Sequence, residues 1–556
     1  MKQTNVSIKN NQMTGAAIVI ECLHEQGVDT IFGFPGGAVI PLYDALYDQL
    51  DQIKHYRTCH EQGAVHAADG YARTTGKVGV CIVTSGPGAT NTITGIATAY
   101  MDSVPMVVIT GQVSRALLGR DSFQEVDITA MTLTITKHCE MVKSIEQLQG
   151  VLHRAFEIAR SGRPGPVLID IPKDIMMQMG VYVKTQQESI KSDDTAHHFH
   201  KKTFDEAVEA LRQAQNPRIL AGGGVIISEA SETLTKFANR RQIPVANTLM
   251  GSGAFPQNHP LALGMVGMHG SKRANDALMQ ADVILAVGVR FSDRVIGAVE
   301  KFCPEAQIIQ IDIDVNEVGK NKDIDFPIVG DIDERLRQMD MALGEKAWDA
   351  KNLNQESGGH RNILAADMLA SIKCAFGAEA IVVTEVGQHQ MWTAQHYEFE
   401  KPRTFITSGG LGTMGFGLGA AIGAQIGNPN TPVVHIAGDG SFKMNAIELG
   451  TVSKYGIPLK TFIFNNNALG MVRQWQRLFC NERFSETDGD DSVDFVKLAA
   501  AYGIEGHRVR SVEELEAVLK RIKNLRKPVL VDCILDHDDD VYPIIPPGKG
   551  LAEMLE

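Results

Sequence analysis

The chain has 556 residues, enough for three or four domains at roughly 150 residues each. With 44% hydrophobic and 21% charged residues it can build apolar cores, which excludes a disordered chain. Its 66 Asp and Glu against 53 Lys and Arg leave a formal charge of -13, the wrong sign for a general nucleic-acid binder.

The first fifteen residues, MKQTNVSIKNNQMTG, carry no apolar stretch of the kind a secretory signal needs. No run of eighteen apolar residues follows, so no membrane span is expected. Eight Cys without a C-x-x-C pair argue against a disulfide scaffold or structural zinc and for reduced thiols in a cytoplasmic setting. Along the chain, short apolar runs alternate with longer helical patterns. Examples are 78–84 (VGVCIVT), 106–110 (MVVIT), 167–171 (VLIDI), 282–287 (DVILAV) and 459–464 (LKTFIF). Continuous apolar strands separated by helices imply parallel sheets covered on both faces, an α/β class.

Two polar, aperiodic stretches, 183–202 and 345–362, read as linkers. They divide the chain into 1–182, 203–344 and 363–556, each the size of one doubly wound domain. No strict repeat period is visible. His197, His198 and His200 in the first stretch lack a carboxylate or Cys spaced to complete a metal shell, and read as solvated linker.

The strongest local signal lies in the last piece. A strand at 432–437 (PVVHIA) runs into Gly438-Asp439-Gly440-Ser441, and a helical pattern follows. A second strand, LKTFIF, ends at Asn465-Asn466-Asn467. Glycines beside an Asp let the backbone approach a phosphate, and a helix N-terminus behind them supplies N–H groups. The Asp carboxylate can hold Mg²⁺, and an Asn amide oxygen on the adjacent strand can help complete its octahedron. Both residues end strands at the carboxyl edge of a sheet, where α/β proteins bind ligands. Gly-Asp-Gly alone reads more readily as a tight turn; the two strands, the helix and the Asn run make it a site.

This arrangement resembles the Gly-Asp-Gly…Asn-Asn signature of thiamine-diphosphate enzymes. That resemblance gives His60-Glu61-Gln62-Gly63-Ala64 a meaning. Alone, Glu61 is a first-turn carboxylate favourable to the helix dipole. In such enzymes this glutamate bonds the aminopyrimidine ring of the cofactor and promotes loss of the thiazolium C2 proton. From about residue 13 to 551 the chain is similar to acetohydroxyacid synthases (acetolactate synthases), biosynthetic catalytic large subunits. The likeness rests on FPGGA (34–38), HEQGA (60–64), TSGPGATN (84–91), SFQEVD (122–127), ITKH (135–138), SGRPGPVLIDIPKD (161–174), TLMGSGAFP (248–256), GMHG (267–270), GVRFSDRV (288–295), IDIDVNEVGKN (311–321), VGQHQMW (386–392), SGGLGTMGFGL (408–418) and LGMVRQWQ (469–476).

The resemblance implies three α/β domains, two gripping thiamine diphosphate and a central one binding FAD in a structural or ancestral role. Val386, Gly387, Gln388 and His389 are then expected on the diphosphate with Gly440 and Ser441. Gly470, Met471 and Val472 complete that loop, and Met414 supports the bent cofactor. Mg²⁺ is implied at Asp439, Asn466 and the carbonyl of Ala468, where many relatives have His. Gly37 and Gln124 are implied over the reacting carbon, Lys173 and Phe123 along the substrate channel, and Trp475 at the second 2-oxo acid. The implied FAD contacts are Arg163, Gly222, Gly223, Thr248, Leu249, Met268, His269, Gly288, Arg290, Asp293 and Asp312. In the middle piece, 219–225 (ILAGGGV) by itself reads equally as a plain turn.

The implied reaction decarboxylates pyruvate on thiamine diphosphate. The hydroxyethyl carbanion then joins a second pyruvate or 2-oxobutanoate, the entry to valine, leucine and isoleucine. Family members assemble as a homodimer or dimer of dimers, Glu61 and the Mg²⁺ ligands coming from different subunits, with a separate small regulatory subunit. A pyruvate oxidase, a simple 2-oxo acid decarboxylase and a non-catalytic flavin or nucleotide binder remain as alternatives. Ser114, Arg120, Ser292 and Gly419 depart from residues frequent in relatives. The Gly-x-Gly-x-x-Gly at 410–415 lacks the acidic partner of a dinucleotide site, and the Gly and Ala richness of 409–427 reads as close helix packing.

Overall fold

The computed structural model describes residues 11–184, 200–349, 364–489 and 493–556. Most of the two expected linkers, with His197 and His198, lies outside these residues; His200 is the exposed residue before the helix Lys201–Gln213. Among the described residues no helix is long and apolar enough to cross a membrane.

Three parallel six-stranded sheets alternate with helices, the expected α/β class. The first runs Lys54–Arg57, Thr30–Phe34, Gly79–Val83, Met106–Gln112, Pro166–Pro172, His138–Met141. The third runs Phe405–Ile406, Ile381–Thr384, Val433–Gly438, Lys460–Asn465, Val529–Ile534, Glu505–Val509. In chain order both read 2-1-3-4-6-5, a likeness that no sequence period reveals. The middle sheet runs Ala262–Met265, Val245–Asn247, Arg218–Ala221, Val283–Val287, Gln307–Asp312, Phe326–Val329. That order, 3-2-1-4-5-6, is the one dinucleotide-binding folds use.

The apolar runs follow from two-sided burial. In the middle sheet Ile219 and Leu285 face a cluster with Phe204, Phe237 and Leu336. Their neighbours Leu220 and Ile284 face another with Leu278, Phe291 and Phe302. Successive strand residues point to opposite faces, and both faces are dry.

The described chain condenses into two compact units: 1–191 with 410–427 and 447–455, and 192–409 with 428–446 and 456–556. The first gathers two stretches of the last sequence piece because small residues let helices Gly417–Gly427 and Glu61–Thr75 meet. A Cβ on Gly423 would land on the Ala67 carbonyl oxygen, and one on Gly70 on that of Ala420. The glycine-rich stretch is thus a packing surface. Its preceding loop hangs from the same unit by Gly410 N donating to Asp102 Oδ1 (2.8 Å) and a Thr98–Thr413 hydroxyl pair (2.7 Å).

Candidate active site

At the first sheet, the order 2-1-3 makes a switch point between Thr30–Phe34 and Gly79–Val83, with Gly37 and the 84–91 loop above it. Thr84 Oγ1 accepts from Ala38 N at 3.2 Å, tying the two loops together. Glu61 opens the helix Glu61–Thr75, with His60 as N-cap accepting from Gln62 N through Nδ1 at 3.1 Å. Asn91 Nδ2 donates to Glu61 Oε2 at 2.9 Å. Gln124 adopts a left-handed φ of 60°, and a Cβ built on Gly86 would stand 2.8 Å from the Gln124 Cβ. Glu61 and Gln124 therefore meet the same short loop. Lys173 follows the strand Pro166–Pro172 at this edge, and Phe123 is 87% exposed.

At the third sheet, Asp439 begins the helix Asp439–Asn445 directly after its strand and is buried. Loss of hydration pushes its carboxyl up to about 6, with Lys443 opposing. A buried acid raised in this way is one that a bound cation would return to the ionised form. Asn466 is also buried; its Nδ2 donates to Gln388 Oε1 at 2.9 Å, which leaves its amide oxygen outside that bond. Gln388 Nε2 in turn donates to Asp539 O at 2.7 Å, so Gln388 braces the Asn. Asn465 bonds Asp532 at 3.0 Å, and Asn467 takes the left-handed turn at φ 52°, so the three Asn have three tasks.

His389, in the helix Gln388–His396, is buried with Nε2 unpaired, and desolvation depresses its imidazole to about 3. Its ring also donates to the backbone at Glu385, which opposes that shift. Cβ atoms on Gly438 and Gly440 would stand 2.7 Å from His389 Nδ1 and from Leu469 Cδ2. One on Gly470 would land on Gln388 Oε1. Val386, Gly387, Ser441, Ala468 and Met471 surround the same strand ends. Oxygen donors beside a backbone bare of side chains fit Mg²⁺ and a diphosphate. Met414 belongs to the loop before Gly417–Gly427, in the other unit. Trp475 is half-buried, its ring edge-on to Phe479 at 5.3 Å, and Val472 is exposed.

The middle sheet brings together ten of the eleven expected flavin residues. Gly222 and Gly223, Thr248 and Leu249, Met268 and His269, and Gly288, Arg290 and Asp293 each follow a strand, and Asp312 ends one. Gly222 N donates to Val287 O (2.9 Å) across the switch point, and a Cβ on Gly222 would land on the Gly288 carbonyl oxygen. This close backbone approach fits a dinucleotide. Burial holds His269 at about 4, hence neutral. Arg163 belongs to the other unit, before the strand Pro166–Pro172 of the first sheet, its Nε donating to Ser103 Oγ at 2.7 Å.

Family models match in the same three parts. Residues 13–131 match the thiamine pyrophosphate enzyme N-terminal TPP binding domain, 204–339 the central domain and 385–533 the C-terminal TPP binding domain. The chain is 46% identical over 551 residues to the acetolactate synthase isozyme 2 large subunit of Escherichia coli, covering 98% of this chain and 100% of that protein. It is 45% identical to the probable acetolactate synthase large subunit of Methanocaldococcus jannaschii (98% and 95% covered). It is 43% identical to the acetolactate synthase large subunit of Haemophilus influenzae (98% and 98%). The chain belongs to the acetolactate synthase large-subunit family of thiamine pyrophosphate enzymes.

Within this family frame, the structure adds residues that the sequence reading did not single out. Glu448, wholly buried, accepts from the backbone of Cys59 (3.1 and 3.2 Å) and His60 (2.9 Å) and from the Thr451 hydroxyl. It fixes the chain just before Glu61. Glu125 gathers the amides of Gly119, Arg120 and Ser122 and closes the loop that carries Gln124. Asp170, buried between Thr110 and Gln112 (2.7 and 2.9 Å), is pushed up to about 7 by desolvation; Gln112 also holds Val126 O at 2.8 Å.

Proposed function

We propose that this chain is an acetolactate synthase: it condenses two pyruvates to 2-acetolactate, or pyruvate with 2-oxobutanoate to 2-aceto-2-hydroxybutanoate, the first common step of branched-chain amino-acid synthesis. The observation that carries this reading is the Asp439, Asn466 and Gln388 cluster at a sheet switch point, in a chain alignable end to end with proteins of that name.

Asp439, Asn466 and the Ala468 carbonyl hold Mg²⁺, and Val386, Gly387, Gln388, His389, Gly440, Ser441, Gly470, Met471 and Val472 receive the diphosphate. Met414 supports the cofactor rings. Bound thiamine diphosphate supplies the electron sink for decarboxylation and for transfer of the remaining two-carbon unit. Glu61 holds and moves a proton at its carboxylate toward the aminopyrimidine. Gln124 and Gly37 flank the reacting carbon, Lys173 and Phe123 guide the 2-oxo acid, and Trp475 shapes the acceptor pocket. These residues must also keep out water until the acceptor arrives, or the two-carbon unit is lost.

FAD occupies the middle sheet's switch point, at Gly222, Gly223, Thr248, Leu249, Met268, His269, Gly288, Arg290, Asp293 and Asp312, with Arg163 from the first domain. The 3-2-1-4-5-6 order and the Gly222–Gly288 approach support a dinucleotide there. The domains are assigned as 1–182, 203–344 and 363–556. The working assembly is a homodimer or dimer of dimers with a small regulatory subunit, a reading supported by relatives named as large subunits.

Product analysis of the purified protein with pyruvate, 2-oxobutanoate, Mg²⁺, thiamine diphosphate and FAD tests the proposal. Acetolactate and acetohydroxybutyrate are expected. Acetate or acetaldehyde as the main product would assign an oxidase or a decarboxylase instead, and bound cofactors without turnover a non-catalytic binder.

A further inference from the structure

Glu61 has two carboxylate oxygens in different surroundings. Oε2 accepts from Asn91 Nδ2 at 2.9 Å. Oε1 passes over Gly88, where a Cβ would stand 3.3 Å away. Among the described residues Asn91 is the one side chain that hydrogen-bonds this carboxylate. Asn91 is itself fixed: it closes the short helix Pro87–Thr90, its backbone N donating to Pro87 O at 3.0 Å, and it is half-buried. The start of the Glu61 helix is fixed too, through Glu448 on Cys59 and His60. Glu61 thus has an anchored backbone and one oxygen taken, and its rotation is set by a single amide.

We propose that Asn91 is a positioning residue for Glu61, occupying Oε2 so that Oε1 is presented to the cofactor's pyrimidine nitrogen. The inference rests on the assignment of Glu61 above. The amide cannot exchange a proton with Glu61 near neutral pH, so Asn91 orients the carboxylate without entering the transfer.

Asn91→Leu keeps the approximate volume and removes the donor. The exchange of the cofactor's thiazolium proton for deuterium, followed by NMR after acid quench, should slow by about tenfold to a hundredfold, the rate equivalent of one hydrogen bond to a charged group. kcat should fall with the exchange rate, while cofactor affinity by calorimetry and KM for pyruvate stay within about twofold. In a Glu61→Gln background the same substitution should add little, because a positioning effect needs the carboxylate it positions. A structural effect would persist there. Asn91→Asp, of nearly identical shape, serves if the Leu variant does not fold; its ionised carboxylate cannot donate to Glu61, and the exchange should slow by a similar factor. An unchanged exchange rate in a folded, cofactor-binding variant overturns the proposal. If Glu61→Gln alone leaves exchange untouched, the assignment of Glu61 fails rather than that of Asn91.

Discussion

Oε1 of Glu448 accepts from the backbone N of His60 at 2.9 Å, although 388 residues separate them in sequence. The same oxygen fills the space that a Cβ on Gly63 would need. One buried carboxylate therefore sets both the entry of the Glu61 helix and the identity of a residue in its first turn.

Glu448→Ala removes every acceptor and leaves the backbone N–H groups of Cys59 and His60 unpaired. It should cost about 1–3 kcal/mol, read as a lower thermal midpoint. Gly63→Ala should be destabilising by the same contact, and combining it with Glu448→Ala should be less than additive. Additive losses would mean that the two sites do not share this space.

Asp439→Ala removes the charged oxygen from the diphosphate end of the proposed site. Titration calorimetry with thiamine diphosphate should show Mg²⁺-dependent affinity falling by about a hundredfold or more, with far-UV circular dichroism unchanged. Retention of Mg²⁺-dependent binding would remove Asp439 from the ligand set.

Asp170 carries a pH signature. Its folded carboxyl sits near 7, raised by burial, against about 3.9 in an unfolded chain. Between these values the folded state keeps a proton that the unfolded state has lost, so Asp170's contribution to stability falls as pH rises from about 4 to 7. Asp170→Asn cannot ionise. Relative to the parent, the variant should gain a few kcal/mol between about pH 4.5 and 8, from roughly 1.36 kcal/mol per unit. Urea midpoints of both proteins at the two pH values check the sign; parallel behaviour would mean that the buried acid is not neutral.

Lys460 Nζ donates to the carbonyls of Pro458 (3.0 Å), Leu525 (2.9 Å) and Lys527 (2.8 Å), all near one end of the third sheet. Lys460→Met strands three acceptors and should cost about 2–4 kcal/mol. Hydrogen exchange should rise first at residues 525–529.

What the sequence made legible was local. The strands flanking Asp439 and Asn466 were expected within a residue of their observed ends, because an apolar run bounded by Gly or Asn is itself the physical cause of a buried strand. The packing role of 409–427 could be read from its small side chains. Glu448, Asn91 and the Gln388 brace could not be read, since each works through a partner that only the tertiary fold brings close. The matching strand orders of the first and third sheets were equally hidden, because topology can persist when no sequence period does.

That matching order reaches into the pair of glycine-bearing helices. Each is the helix that follows the second strand of its own sheet, so equivalent parts of two like-ordered layers touch at carbonyl distance. A side chain added at Gly70 or Gly423 would strike a backbone carbonyl, which no smaller residue opposite can withdraw. Neither glycine can therefore be replaced without parting the two helices, and no second substitution repairs the loss.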